Sequence, residues 1–241
     1  MSSAIAIDRP APRPQPVARW RHTIVLVVMF LAMAAAGGML QHRAVSAGSA
    51  TLPHPSQPAW LYLGLIAMEW GLVTYVWKGG LRASGVSLRA LIGGRWGTPR
   101  AVATDVLLAL GVWAAWTAVE WTSDRVLGAG HAASVARLLP RDPLGVALWL
   151  VLSLSAGFAE ELVFRGYFRA QFHALTGSAT LALVLQALLF GVSHGYQGVR
   201  ACASITLYGF LFGMLASSRK SLRPGMIAHA WTDIAAGIFR I

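Results

Sequence analysis

The chain has 241 residues and a net charge of +11, yet only 12% of its residues are charged and 56% are hydrophobic, with a mean hydropathy of +0.58. A soluble domain carries roughly twice that charged fraction, so the composition excludes an ordinary water-soluble enzyme and fits a polytopic membrane protein. The single cysteine, Cys202, excludes an intrachain disulfide and a cysteine-cluster metal site, and it reads as a small core residue.

Residues 1–22, "MSSAIAIDRPAPRPQPVARWRH", are rich in Pro and Arg and read as a disordered tail. The run "TIVLVVMFLAMAAAGG" that follows has the look of a secretory signal, but several further apolar runs come after it, so it is read as an uncleaved first membrane helix. A spanning helix needs about 20 mostly apolar residues. On that measure seven spans are predicted, at 23–40, 59–77, 101–119, 144–164, 179–195, 200–217 and 225–241. The fold class expected is all-α, a transmembrane bundle of about seven spanning helices (six to eight). It divides into a cytoplasmic tail (1–22), N-terminal membrane helices (23–142) and a C-terminal helical core (143–241).

Gly- and Pro-rich connectors separate the spans, among them "KGGLRASGVSLRALIGGRWGTPR" and "SSRKSLRPG". The segment 165–178 is read as a continuation of the fourth helix to the interface, with Arg165 and Arg169 snorkelling; an interfacial amphipathic helix is the alternative. The Lys and Arg residues lie in the gaps between spans and form no aromatic-interleaved block, which argues against nucleic acid as a partner. With the N-terminus inside, 14 of the 20 fall on the inner side. The positive-inside rule therefore favours a cytoplasmic N-terminus. Trp20, Trp60, Trp77 and Trp121 near span ends read as an interfacial belt, and Trp231 as packing.

Five ionisable residues interrupt the last apolar runs: Glu160, Glu161, His194, His229 and Asp233. Such groups are expensive in a membrane and are functional candidates by default. Glu161 and Arg165 stand four apart in the orientation that favours a helical ion pair, so they read as a structural bridge. Glu160 lies about 100° round the same helix, free to face an internal wet cavity. His229 and Asp233 share a face of the last helix, and Phe190 and His194 repeat that spacing earlier. Three predicted helices thus bring two imidazoles and two free carboxylates toward one site. A buried carboxylate can take a proton from water near neutral pH, and imidazoles can orient that water, bind a metal or donate to an oxyanion. Ser193 would point to another face, so water-mediated hydrolysis is favoured over an acyl-enzyme route. Glu69, Asp105 and Glu120 read as helix-end or bundle-interior polar groups, or as the extension of a proton or metal transport relay.

At these residues the chain resembles the CAAX-protease and bacteriocin-processing (CPBP) family of intramembrane proteases, whose pattern is EExxxR, then FxxxH, then HxxxN or HxxxD. Here those are Glu160-Glu161 through Arg165, Phe190 through His194, and His229 through Asp233. The resemblance covers roughly 143–241. It implies hydrolysis of a peptide bond in a membrane-associated or lipid-anchored peptide or protein, near its C-terminus, at the cytoplasmic side of the bilayer. It also implies Glu160 and His194 activating water, Glu161, Arg165 and Phe190 in support, and His229 and Asp233 stabilising the oxyanion or holding water. A divalent metal such as zinc, with Glu160, His194, His229 and Asp233 as candidate ligands, stays open beside a metal-independent glutamate mechanism. Asp233 replaces the commoner Asn, and an ionised Asp cannot donate to an oxyanion. It is therefore protonated, accepts from His229, or ligates a metal. The expected location is a bacterial inner membrane, with oligomeric state open. A non-catalytic binding or immunity protein with the same fold, or a transporter, is the alternative.

Overall fold

The computed structural model describes residues 14–46, 59–127 and 138–239. Among the described residues nine α-helices run in chain order: α1 (Trp20–Ser46), α2 (Ala59–Thr74), α3 (Leu88–Ile92), α4 (Pro99–Leu127), α5 (Pro143–Glu160), α6 (Arg169–Thr176), α7 (Ala179–Ser193), α8 (Val199–Arg219) and α9 (Arg223–Phe239). Two widened π-helical stretches extend them, Tyr75–Leu81 after α2 and Glu161–Phe168 between α5 and α6. The starts follow local chemistry. Pro143 opens α5, and Asp142 caps it by accepting from the Gly145 N–H at 2.8 Å. Ser178 caps α7 in the same way, after Gly177 has ended α6 in the left-handed region.

Every predicted span coincides with a helix, and five are long and apolar enough to cross a membrane: Trp20–Leu40, Ala59–Ser84, Pro99–Thr122, Pro143–Thr176 and Val199–Arg219. The sixth and seventh predicted spans are the shorter α7 and α9, of 15 and 17 residues. Large apolar side chains such as Leu107, Leu154 and Trp60 point outward on the spans. In water that arrangement would be costly, and in hydrocarbon it is the stable one. The chain is a polytopic helical membrane protein.

Helix α5 is central. It packs against α2 on one side and α9 on the other, while α7 and α8 form a hairpin that α1 also touches. Small residues permit the α5–α9 contact: a Cβ on Gly157 would come within 2.8 Å of the Ala230 backbone nitrogen, and one on Gly237 would collide with the Trp149 ring. Trp149 Nε1 donates to the Asp233 carbonyl at 2.7 Å, which fixes the register of the two helices.

Several expectations are corrected. The 34-residue segment Pro143–Thr176 is one continuous helix, as expected, but its middle is π-helical and wholly buried. Arg165 does not snorkel and is fully buried. Arg169 folds back, donating to the Arg165 carbonyl at 2.7 Å and to Ser217 Oγ at 3.3 Å. Cys202 is only half-buried. The connector 78–100 is part of the bundle: Leu81 is buried, and the Ile92 carbonyl accepts from the Leu222 N–H at 2.9 Å just before α9.

The boundary of the N-terminal tail also moves. Residues 1–13 lie outside the described residues, but Ala18 is buried. Gln171 Oε1 accepts from the backbone N–H groups of Val17 and Ala18 at 2.7 and 3.2 Å, and its Nε2 donates to the Ala18 carbonyl and to Thr23 Oγ1. Four contacts converge on one buried amide. Gln171→Ala leaves those groups without it, and we expect a loss of about 1–3 kcal/mol in unfolding free energy in detergent, with release of the N-terminal segment read by limited proteolysis. Wild-type stability and protection would refute the anchor.

Candidate active site

The α5-to-π junction carries Glu160 and Glu161 side by side, and they are treated differently. The Glu161 side chain is fully buried, whereas Glu160 keeps 18% of its surface accessible. Glu161 Oε1 lies 3.3 Å from Arg165 Nη1, the expected bridge, held within a π-helical stretch. A bare buried guanidinium would be prohibitive. Here it sits 4.0 Å from the centre of the Phe190 ring, with Tyr208 and Phe212 at 6.0 and 5.7 Å. Ring faces thus replace much of the water, which is why Arg165 need not reach the surface.

The other side of Glu161 is His229. Its Nδ1 lies 3.1 Å from Glu161 Oε1. An ionised carboxylate only accepts, so Nδ1 carries the proton and donates, and Nε2 is the atom turned toward the site. Nε2 stands 3.7 Å from Glu160 Oε2 and 3.8 Å from Asp233 Oδ2. Asp233 is the most accessible member, at 34%. The result is an ordered line: Arg165, then Glu161, then His229, then two carboxylates that meet open space.

Glu161 Oε2 rests against the first turn of α9, where the positive end of the helix dipole favours an anion. A Cβ on Gly225 would come within 2.8 Å of that oxygen. Because Arg165 and His229 pin the carboxylate, it has little freedom to yield. Gly225→Ala gains about 0.5–1 kcal/mol of helix propensity, but overpacking costs about 1–3 kcal/mol. We therefore expect net destabilisation in thermal unfolding; a stabilised variant would show the carboxylate to be mobile.

His194 caps the C-terminus of α7. Its Nδ1 lies 2.9 Å from the Phe190 carbonyl, which only accepts, so Nδ1–H donates and Nε2 is left as an acceptor. The Phe190 ring stands edge-on between the two imidazoles, 4.9 Å from His194 and 6.3 Å from His229. The structure thus brings Glu160, Glu161, Arg165, His229 and Asp233 into direct contact, and joins His194 to them through Phe190. Trp231 faces away, its ring 6.0 Å from Trp113.

One residue of this neighbourhood was read from sequence only as an interior polar group. Glu69 of α2 is buried and lies near Glu160. Its only sequence signal is an acid inside the apolar run "LYLGLIAMEWGLV". Asp105, grouped with it from sequence, belongs elsewhere: it takes Arg219 Nε at 2.7 Å, Trp96 Nε1 at 2.7 Å and Arg223 Nε at 3.3 Å, tying α4 to the α8–α9 turn.

Among the described residues no three His, Cys, Asp or Glu side chains are grouped to hold a metal. No step below is routed through a metal.

Residues 142–235 match the family described as type II CAAX prenyl endopeptidase Rce1-like. The matched stretch holds all three motifs and the whole line from Arg165 to Asp233, and it leaves out Glu69 and the N-terminal helices. Neither a curated protein nor a solved structure matches the chain.

Proposed function

We propose that this chain, whose C-terminal helices carry the CAAX-type intramembrane protease pattern, hydrolyses a peptide bond in a membrane-associated or lipid-anchored substrate by means of water activated at Glu160. The observation that carries the reading is the graded exposure along one contact line. Glu161 and Arg165 are sealed in, while Glu160 and Asp233 open outward on either side of His229 Nε2.

In this reading Glu160 takes a proton from water, and the water oxygen forms a bond to the scissile carbonyl carbon. His194 Nε2, a free acceptor, holds the second water proton. The carbonyl oxygen becomes an oxyanion, which His229, in its doubly protonated form, stabilises through Nε2–H while Glu161 keeps Nδ1–H engaged. Collapse breaks the C–N bond, and Glu160 returns its proton to the leaving amine. Asp233, lacking the amide N–H of an Asn, is assigned to holding water and balancing the His229 charge rather than to oxyanion binding.

The charge pattern supports a cytoplasmic N-terminus, and the Ala-, Arg- and Gly-rich composition favours a bacterial inner membrane. We divide the chain at about residue 142 into N-terminal helices and a catalytic core.

The test compares membrane-peptide pools by mass spectrometry from cells making the wild type or Glu160→Ala at matched levels. A terminus seen only with the wild type supports proteolysis and gives the cut site. Identical pools, with the variant rescuing a null strain, would replace the reading with a non-catalytic binding protein.

A further inference from the structure

Two basic segments are joined at one end of the bundle. The connector 78–100 holds five Lys or Arg and the turn 219–223 holds three. The Leu222 N–H and Ser221 Oγ donate to the Ile92 carbonyl at 2.9 and 3.2 Å, and Arg223 Nη1 donates to the Gly94 carbonyl at 3.4 Å. From residue 70 to 119 the sole acid is Asp105, and from 162 to 232 there is none. Asp105 is buried and holds Arg219 and Arg223, whose side chains stay 31% and 14% exposed, so it orients them without cancelling the charge of this face. Helices α4 and α9 both begin here, and each carries an arginine, Arg100 or Arg223, in its first turn. A cation at a helix N-terminus is unfavourable by itself, whereas an anion there is stabilised. This end of the bundle is built to meet an anion.

The surface beside these arginines is apolar. An open hollow of about 600 Å³, in the range of small-molecule sites, is lined by Trp96, Pro99, Val102, Ala103 and Val106 among others. Arg223 stands over the Trp96 ring, 5.2 Å from its centre. Val106 also borders a second hollow of about 200 Å³, walled by Ala109 and Leu110 of α4 and by Ile227, Ala228 and Trp231 of α9. The two follow one face of α4, and Pro99 to Leu110 covers about 16 Å along that helix. That is about half of the ~30 Å hydrocarbon thickness, the depth of one leaflet. Glu160, His229 and Asp233 do not line either hollow, so the groove is separate from the candidate active site.

We propose that this end of the bundle binds an anionic phospholipid, its phosphate held by Arg223 with the flanking Arg95 and Arg100, and an acyl chain lying in the groove along α4. Arg95 and Arg100 are both exposed, on either side of Trp96 and Pro99 in the chain. Basic pockets between spanning helices are suited to acidic headgroups. Charge alone would suit a free phosphate or an acidic peptide equally well. The apolar trough that leads from the arginines into the hydrocarbon selects an amphiphile instead. Bound there, the lipid bridges α4, which lies outside the family match, and α9, which carries His229 and Asp233.

The test is native mass spectrometry of the full-length protein in a neutral detergent, titrated with phosphatidylglycerol or with phosphatidylcholine of the same chains. The wild type should bind phosphatidylglycerol at the lower concentration. Arg95→Gln combined with Arg100→Gln should weaken that binding roughly 25-fold, about fivefold for each arginine, and leave phosphatidylcholine unchanged. Val106→Trp, which fills the groove where the two hollows meet, should weaken it with every charge in place. Arg19→Gln combined with Arg21→Gln, which removes two exposed charges elsewhere on the basic side, should keep the preference. Equal binding of the two lipids by the wild type would overturn the proposal. So would wild-type affinity in the Arg95/Arg100 or Val106 variant, or an equal loss in the Arg19/Arg21 variant, which would mean diffuse charge and no site. Glycerol 3-phosphate binding as tightly as the lipid would give the site to a free anion, and a tetraglutamate peptide binding in the lipid's place would give it to an acidic protein segment; either result overturns the proposal. None of these measurements needs a substrate, so a failed lipid site and a failed protease are told apart.

Discussion

Glu160→Gln is expected to lower hydrolysis about 10²–10⁴-fold, the usual contribution of a positioned general base, while the protein inserts and unfolds much as the wild type does. The expectation of intact folding comes from the partition of the acid pair. Glu160 is partly accessible and among the described residues makes no ion pair with an arginine, whereas Glu161 carries the buried contacts to Arg165 and His229. Gln keeps the shape, but it cannot accept a proton from water. The contrast with Glu161→Gln separates the roles: that variant should lose stability as well as activity, because it removes the negative charge that faces Arg165 and His229 Nδ1–H. Cleavage of the substrate found from the peptide pools, measured beside thermal unfolding in detergent, gives both readings. Undiminished cleavage by Glu160→Gln would sink the general-base assignment; equal destabilisation by the two variants would sink the partition.

The spacing rules found the helices and most of the site because they depend on local geometry. Glu161 and Arg165 at four residues, and His229 and Asp233 at four, meet in the structure as a helix requires. What those rules missed is set by packing between helices. Nothing in "LYLGLIAMEWGLV" says that Glu69 will face Glu160, since that follows from Trp70 meeting Ser155 and Phe158 across α2 and α5. Arg165 was expected to snorkel because arginine in an apolar run ordinarily does. The aromatic rings that make its burial tolerable come from α7 and α8, more than twenty residues away in sequence. The connector 78–100 looked like a loop because glycine and arginine punctuate it. Yet Gly93, at φ +104, sits so close to Ser221 and the Lys220 carbonyl that a side chain there would collide, and this close approach helps seat the segment under α9.

Arg165→Met should cost about 3–5 kcal/mol of stability, the usual penalty for removing one partner of a buried ion pair. Both side chains are fully buried, so water cannot rescue the one left behind. Met fills much of the space among Phe190, Tyr208 and Phe212, which keeps the cavity contribution small and isolates the electrostatic part. Glu161 would retain only His229 Nδ1 and the positive end of α9, and the first consequence should be a shift of His229 toward it. Nε2 then moves relative to Glu160 and Asp233, so activity should fall even in the fraction that stays folded. The double variant Glu161→Gln with Arg165→Met removes both charges and should be markedly less destabilised than the sum of the singles, because each single variant strands a charge and the double strands none. Denaturant or thermal unfolding of the three variants in one detergent measures the coupling. Additive losses would mean that the two charges are solvated independently, and that the aromatic cage rather than the ion pair makes Arg165 tolerable in the bundle.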